Sequence, residues 1–517
     1  MRAIVWVLQF LVAVQLSLVC NANALYQVES IQLNAVRIEG ALLLDSHEVD
    51  AVVGRFVGQR VSFEDLEQIR HELTLRLIDK GYVSSGVVLP DQEVKDGVLI
   101  FQIVAGELRQ VEIVGNEHIS TSWLEKRLRR GDNGALNVNT LQENLQQLQF
   151  DRSVRRINAE LKAGVAPGES VLHARIEERS PFWARVSFAN DASPGTGSYR
   201  GGLQASYANL FGRGDRLQGS LGVSEGDTDY SLRFALPLTR EETTLELYGY
   251  KSESQVVTDD FADLDIESDS KTLGFKVSRP IYRSLASQLS LGLAGEQRQD
   301  RTSLLGESFS FSPGVDDGKA RVSVVRFSQE FVFRSVSRVL AFASSFNVGV
   351  DLFDATIHDN QPDGKFLTWL GQLRWVEQLG MAQAVLRIDG QLSDDELLPM
   401  EKFSVGGVSS VRGYRKDAMV RDRGISASLE TRLPLFGALE GRGLTLIPFY
   451  DCGYAKDRGE QAADGKFVQS LGAGLQWKPM VNLSLEFFYG YAFDDFDFDD
   501  EDLQDDGVHF ALVWETP

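Results

Sequence analysis

From Trp183 to Trp514 apolar and polar residues alternate with a period of two, in short segments parted by polar turns. Beyond the N-terminal leader no stretch stays apolar for the ~20 residues that a membrane helix needs. The alternation is clearest at Leu203–Tyr207, Leu217–Val223, Thr244–Tyr250, Leu289–Leu293, Phe467–Trp477 and Val481–Phe487. Connections are short on one side, as at Phe211–Asp215, and long on the other, as at Val256–Asp269 and Arg298–Gly318. Short periplasmic turns facing long extracellular loops predict a mostly β chain whose residues 183–517 form an antiparallel transmembrane β-barrel of about 16 strands. A mean hydropathy of −0.16 fits, because only every second residue faces lipid. So do the 47 glycines and 10% aromatic residues. A soluble β-sandwich is the runner-up, but it has no need of such regular long and short connections.

The N-terminus reads as an export signal. Met1-Arg2 is a small basic region, Ile4 to Val19 is mostly apolar, and Ala22-Asn23-Ala24 has the small-x-small pattern of a cleavage site, so residues 1–24 are expected to be removed. Removal takes Cys20 away and leaves Cys452 alone, with no intramolecular disulfide to form. A net charge of −22 argues against nucleic acid as a partner.

Between signal and barrel lies a repeat. Val36-Arg37-Ile38-Glu39-Gly40 aligns with Val111-Glu112-Ile113-Val114-Gly115 at an offset of 75, and Leu66 and Leu141 recur at the same offset on amphipathic helical stretches. In the second copy Ser120 can cap a helix through Leu128, a second helix runs from Asn139 to Leu148, and strands follow at Val154–Leu161 and Ser170–Glu177. Two small α/β domains of order β-α-α-β-β are predicted, over 34–107 and 108–179. The edge of such a sheet can take up an extended polypeptide as an added strand.

In the barrel, the period of two assigns Leu444, Leu446, Pro448 and Tyr450 to lipid, and Thr445, Ile447, Phe449, Asp451 and Gly453 to the lumen. Cys452 shares the lipid parity. The preceding strand turns Ser426, Ser428, Glu430 and Arg432 inward, so Glu430 and Asp451 face the same space. A long loop at about 403–423 carries Gly406-Gly407 and Gly413, which permit the reversals of a hairpin tucked into the lumen. Arg412 at its tip is the expected partner of Asp451 and Glu430 through its guanidinium fork.

The strings Val411-Arg412-Gly413-Tyr414 and Phe449-Tyr450-Asp451-Cys452-Gly453 resemble the paired signatures of polypeptide-transporting outer-membrane barrels, and the β-α-α-β-β repeat resembles the POTRA module. Leu161–Gly164, Pro167–Ser170 and Asn209–Asp215 add to the likeness. The chain resembles two-partner secretion transporters, the family of haemolysin and adhesin secretion/activation proteins. That resemblance implies a Gram-negative outer-membrane protein with periplasmic POTRA domains that is inserted by the barrel assembly machinery. It implies export of a large, unfolded, β-helical partner, with the loop-to-wall set Arg412, Asp451 and Glu430 and the motif residues Val411, Gly413, Tyr414, Phe449 and Gly453. An insertase of the same superfamily and a passive porin or receptor remain as alternatives.

Two departures stand out. Only about ten residues separate Leu25 from the first POTRA strand, too few for a barrel-plugging helix and linker at 1.5 Å per residue, so closure is expected to fall to the loop. The chain also ends Trp514-Glu515-Thr516-Pro517 rather than on an aromatic residue, although Val508, Phe510, Leu512 and Trp514 still make a lipid-facing stripe.

No enzyme is expected, and no cofactor or metal. Gly222-Val223-Ser224-Glu225-Gly226 matches a hydrolase nucleophile pattern, but that pattern needs a strand-turn-helix elbow and here lies on an alternating strand. No Walker A string occurs, the six histidines lack ligand spacing, and the acidic run Asp494–Asp506 reads as a solvated loop.

Overall fold

The computed structural model describes residues 30–239, 241–258, 261–437, 441–459, 464–494, 496 and 502–516. The expected signal peptide, 1–24, and part of the acidic run after Asp494 lie outside them.

Residues 31–104 build β1 (Ile31–Gln32), β2 (Ala35–Gly40), α1 (Ser46–Val53), β3 (Arg60–Val61), α2 (Phe63–Asp79), β4 (Gly86–Val88) and β5 (Val98–Val104). Both helices begin at capping boxes. Asp45 caps α1 with Glu48 returning the bond, and Ser62 caps α2 with Asp65 doing the same. Along α2 the apolar residues Leu66, Ile69, Leu73 and Leu77 fall on one face and are buried with Leu99, Phe101 and Ile103 of β5. Each contributes roughly 1.5–3 kcal/mol of burial. The sheet runs β2-β5-β4, with β2 parallel to β5.

Residues 107–178 repeat the plan as β6 (Glu107–Val114), α3 (Thr121–Leu128), α4 (Val138–Gln149), β7 (Val154–Ala163) and β8 (Glu169–Glu178). The sheet order is β6-β8-β7, again with the first strand parallel to the last, and β7 lies at its edge. The repeated glycine has a steric reason. Gly40 (φ 91°) and Gly115 (φ 87°) end their strands in the left-handed region, and a Cβ on either would stand 2.3 Å from a carbonyl oxygen of the neighbouring strand, that of Ile103 or of Ile176.

The barrel strands are β9 (Phe182–Ala189), β10 (Arg200–Ala208), β11 (Arg216–Val223), β12 (Asp227–Pro237), β13 (Thr244–Gln255), β14 (Glu267–Arg283) and β15 (Ser287–Leu304). After the two-residue β16 (Glu307–Ser308) come β17 (Lys319–Arg334), β18 (Arg338–Val350), β19 (Leu367–Leu379) and β20 (Ala382–Ser393). A small hairpin, β21 (Phe403–Val405) and β22 (Met419–Arg421), interrupts before β23 (Arg423–Phe436), β24 (Gly443–Lys456), β25 (Lys466–Met480), β26 (Leu483–Ala492) and β27 (Val508–Glu515). With β16 and the hairpin set aside, sixteen antiparallel strands close on themselves. Closure is made by β27 and β9, from Ala511 opposite Ala189 to Glu515 opposite Arg185. A closed barrel excludes the sandwich.

Periodicity explains the wall. Leu232, Leu247, Leu273, Phe327, Phe346 and Trp477 are exposed on the outside, as lipid contact requires. The start of β9 and the end of β27 lie at the rim of the short turns 284–286, 335–337, 380–381 and 481–482. Apart from the three-residue connection 224–226, the loops at the other rim are longer, up to 351–366 and 394–422.

The expected loops 256–269 and 298–318 are shorter in the structure. Glu267–Asp269 already belongs to β14, and Arg298–Leu304 still belongs to β15. These ends pair Asp269 with Arg301, Ser270 with Asp300 and Lys271 with Gln299. Both faces there are polar, so the hydropathy pattern stops while the backbone ladder continues.

Gly40→Ala forces a Cβ against the Ile103 carbonyl in a φ region that costs about 1–3 kcal/mol for a non-glycine residue. It should increase protease cleavage within 31–104 while the barrel keeps its heat-resistant mobility in detergent gels. An unchanged cleavage pattern would contradict the steric account.

Candidate functional site

Loop 394–422 turns back into the barrel, and its tip carries an arginine with 1% of its surface exposed. Arg412 is reached through Val411, which is fully buried with Val405, Tyr414, Met419, Ala455 and Val468 in an apolar cluster of loop and wall. That packing holds the loop backbone against the wall on either side of the charge. Gly406 and Gly407 have φ of 122° and 85°, so the turn at the loop's neck is one that glycine permits.

The guanidinium then makes four hydrogen bonds. Nε donates to Asp451 Oδ2 at 2.7 Å and Nη2 to Asp451 Oδ1 at 2.9 Å, a bidentate fork, and the Arg412 backbone N–H reaches the same carboxylate at 3.1 Å. Nη1 donates to Glu430 Oε2 at 3.1 Å, and Nη2 also to Ser428 Oγ at 2.9 Å. Asp451, Glu430 and Ser428 are buried side by side on β23 and β24, where Ser428 stands opposite Asp451 in register. The guanidinium carbon lies 3.7 Å from the Phe449 ring centroid and 5.1 Å from that of Phe488, so the cation is also held over aromatic faces.

The remaining motif residues fill defined places. Gly413 (φ 95°) lies against Gly490 of β26, and a Cβ on it would stand 2.9 Å from the Gly490 carbonyl oxygen. Tyr414 Oη donates to the Gln469 carbonyl at 2.9 Å and accepts from the Asp494 N–H at 3.2 Å. On Gly453 a Cβ would stand 2.6 Å from Val405 and 3.1 Å from Val411. The motif glycines are thus points of close approach, Gly413 to the backbone of the wall and Gly453 to side chains of the loop. Arg432 turns inward and its Nη2 donates to Glu430 at 2.8 Å, and Cys452 is a half-buried free thiol on the opposite parity.

Sequence reasoning did not single out several contacts. Arg387 of β20 also donates to Glu430, at 3.2 Å, so that carboxylate is shared by three arginines. His509 of β27 faces the Gly413 N–H at 3.3 Å. Arg415 Nε donates to Asp505 at 2.7 Å, and Gln504 joins the Lys416 N–H to the Ala192 carbonyl. The inward parity of Arg387 and His509 was available in the pattern, whereas the partners of Arg415 and Lys416 depend on how two loops fold. The Gly222–Gly226 string sits on a strand-turn-strand, with Ser224 Oγ donating to the Thr196 carbonyl rather than standing on an elbow.

A barrel that keeps its own loop inside, preceded in the chain by two POTRA-like domains, is a polypeptide-transporting outer-membrane architecture. The chain belongs to the haemolysin secretion/activation protein family ShlB/FhaC/HecB, whose model matches residues 168–477, and a ShlB-type POTRA domain matches 31–106. Among curated relatives, the heme/hemopexin transporter protein HuxB of Haemophilus influenzae is 24% identical, over 83% of this chain and 77% of that protein. The outer membrane transporter CdiB of Dickeya dadantii is 24% identical, over 76% and 70%. Among solved structures, CdiB from Escherichia coli superposes with a TM-score of 0.75 at 20% identity, covering 95% of this chain and 92% of that one. The protein is an outer-membrane transporter of the two-partner secretion type, with its POTRA domains in the periplasm.

Removing the Arg412 side chain leaves two buried carboxylates short of a partner, at a cost of about 3–5 kcal/mol, without touching the strand ladder. Arg412→Ala and Asp451→Asn should therefore keep a heat-resistant barrel yet expose Arg415 and Arg421 to trypsin added outside the cell. Arg412→Lys should protect the loop poorly, since an ammonium cannot reproduce the fork. Equal trypsin resistance in all three would show that the fork does not hold the loop.

Proposed function

We propose that the inward loop is the movable element of a polypeptide conduit, held at rest by Arg412 on Asp451 and Glu430 and displaced when a client passes. One observation carries this reading: the loop's charge is buried in the lumen by side-chain contacts, not by the backbone ladder. Side-chain contacts in a water-accessible lumen can be exchanged for water without opening the barrel, whereas strand pairing cannot. The wall stays closed while the loop moves.

On the periplasmic side, the client is an extended chain that adds to a POTRA edge. In the first domain the sheet β2-β5-β4 ends on two edge strands, and main-chain bonding at such an edge accepts any sequence. Capture of an unfolded chain fits a partner that folds only outside, and a large β-helical protein suits this because each coil can stack on the one already emerged. The POTRA pair spans 34–107 and 108–179 and the barrel 183–517, which enters the membrane through the barrel assembly machinery.

Removing residues 34–107 in frame should leave an inserted, heat-resistant barrel that no longer secretes a co-expressed partner; full secretion by that variant would overturn the capture role. Deleting 405–422 should raise single-channel conductance in planar bilayers several-fold and abolish secretion. Unchanged conductance would show that the loop does not obstruct the lumen.

A further inference from the structure

The loop enters the lumen through a single turn, Pro399–Glu401, and the turn ends on a carboxylate that the Arg412 site does not use. Glu401 is 7% exposed. Its Oε1 accepts from Arg298 Nη1 at 2.8 Å and from Arg326 Nη2 at 3.0 Å, and its Oε2 from Arg326 Nη2 at 3.2 Å. Arg298 stands on β15 and Arg326 on β17. Arg326 Nε also donates to Glu296 Oε2 at 2.8 Å, and Glu296 Oε1 accepts from Tyr248 of β13 at 2.7 Å. A loop carboxylate therefore completes a chain of polar groups spread over three wall strands.

The charges show why the loop is needed there. Without Glu401, Arg326 keeps Glu296 as its partner, whereas Arg298 loses its ion-paired carboxylate and has Asp300, two residues on along the same face of β15, as the nearest remaining acid of that strand end. The backbone is held as well: Gln391 Nε2 of β20 donates to the carbonyls of Glu401 and Asp422 at 2.8 and 3.1 Å, joining the loop's entry to its exit. The polarity is the reverse of the first anchor. At Arg412 a loop cation meets wall acids on β23 and β24, and at Glu401 a loop acid meets wall cations on β15 and β17, with β18, β19 and β20 between them in the barrel.

We propose that Glu401 is a positioning residue for transport: a second, oppositely charged latch that holds the loop's entry on β15 and β17 and, with Arg412, fixes where the loop lies across the lumen. This rests on the reading of the loop as the obstructing element. Because the two anchors have opposite sign, exchanging them would set like charges together, so the loop has one seating and not two. A neutral residue at either place removes that discrimination.

The test uses the full-length protein and potassium chloride current in planar bilayers. Glu401→Gln and Arg326→Gln should each give a heat-resistant barrel with an open probability raised about tenfold. The double variant should be no more open than the worse single one, since both remove the same contact. Glu401→Asp should restore most of the closure, which a role in folding alone would not require. Wild-type current from both folded single variants, or effects that multiply in the double, would overturn the second latch. Arg412→Ala separates the two ideas. If it opens the channel while Glu401→Gln does not, the second latch falls and the loop reading stands; if neither does, both fall.

Discussion

Everything in this molecule depends on closing the strand ladder between β9 and β27. Among the described residues no helix is long and apolar enough to cross a membrane, so every backbone N–H and C=O facing hydrocarbon must find its partner on a neighbouring strand, and the first strand must find the last. That seam is short in register, from Ala511 opposite Ala189 to Glu515 opposite Arg185. Side chains lengthen it. Asn190 bonds through its side chain to the Val508 carbonyl and the Phe510 N–H, and the Ala184 N–H donates to Thr516 Oγ1. Once the ring is closed, its inward positions are relieved of any duty to the fold's backbone. They are free to carry charge.

The lumen spends that freedom on holding a loop. Arg412 and Glu401 are answered by wall groups of opposite sign, and their surroundings differ in kind. The Arg412 site sets its fork among buried side chains and is flanked by the rings of Phe449 and Phe488. The Glu401 site extends into an open polar surface lined by Arg233, Glu246, Lys276, Glu330 and Gln372 around a cavity of about 300 Å³. The tight anchor thus lies on one wall, and the other wall keeps room beside its anchor.

How much of this was legible in the sequence follows from which contacts are periodic. The inward parity of Asp451, Glu430, Ser428 and Ser426 can be read from the strand alone, because a period of two leaves no other choice once Leu444, Leu446 and Tyr450 go to lipid. The glycines at 40 and 115 announced themselves by repetition. Glu401 did not. It sits in a single turn between a strand and a hairpin, where no periodicity assigns a direction, and its arginines are about 75 and 103 residues away in sequence. The ends of β14 and β15 were hidden for the opposite reason: the backbone stays periodic while both faces turn polar, so hydropathy falls silent over a real strand.

Those polar strand ends have a consequence outside the membrane. β14 and β15 are 17 and 18 residues long, which at about 3.3 Å per residue and a tilt near 40° gives a height of roughly 45 Å against an apolar band of about 25 Å. The turn 284–286 at the other rim is short, so most of the surplus stands above the outer leaflet as a stiff lip of sheet. Its cross-strand pairs, Asp269 with Arg301 and Lys271 with Gln299, can be exchanged for other polar pairs while the ladder beneath them persists. The lip can therefore change its polar faces without disturbing the barrel that carries it.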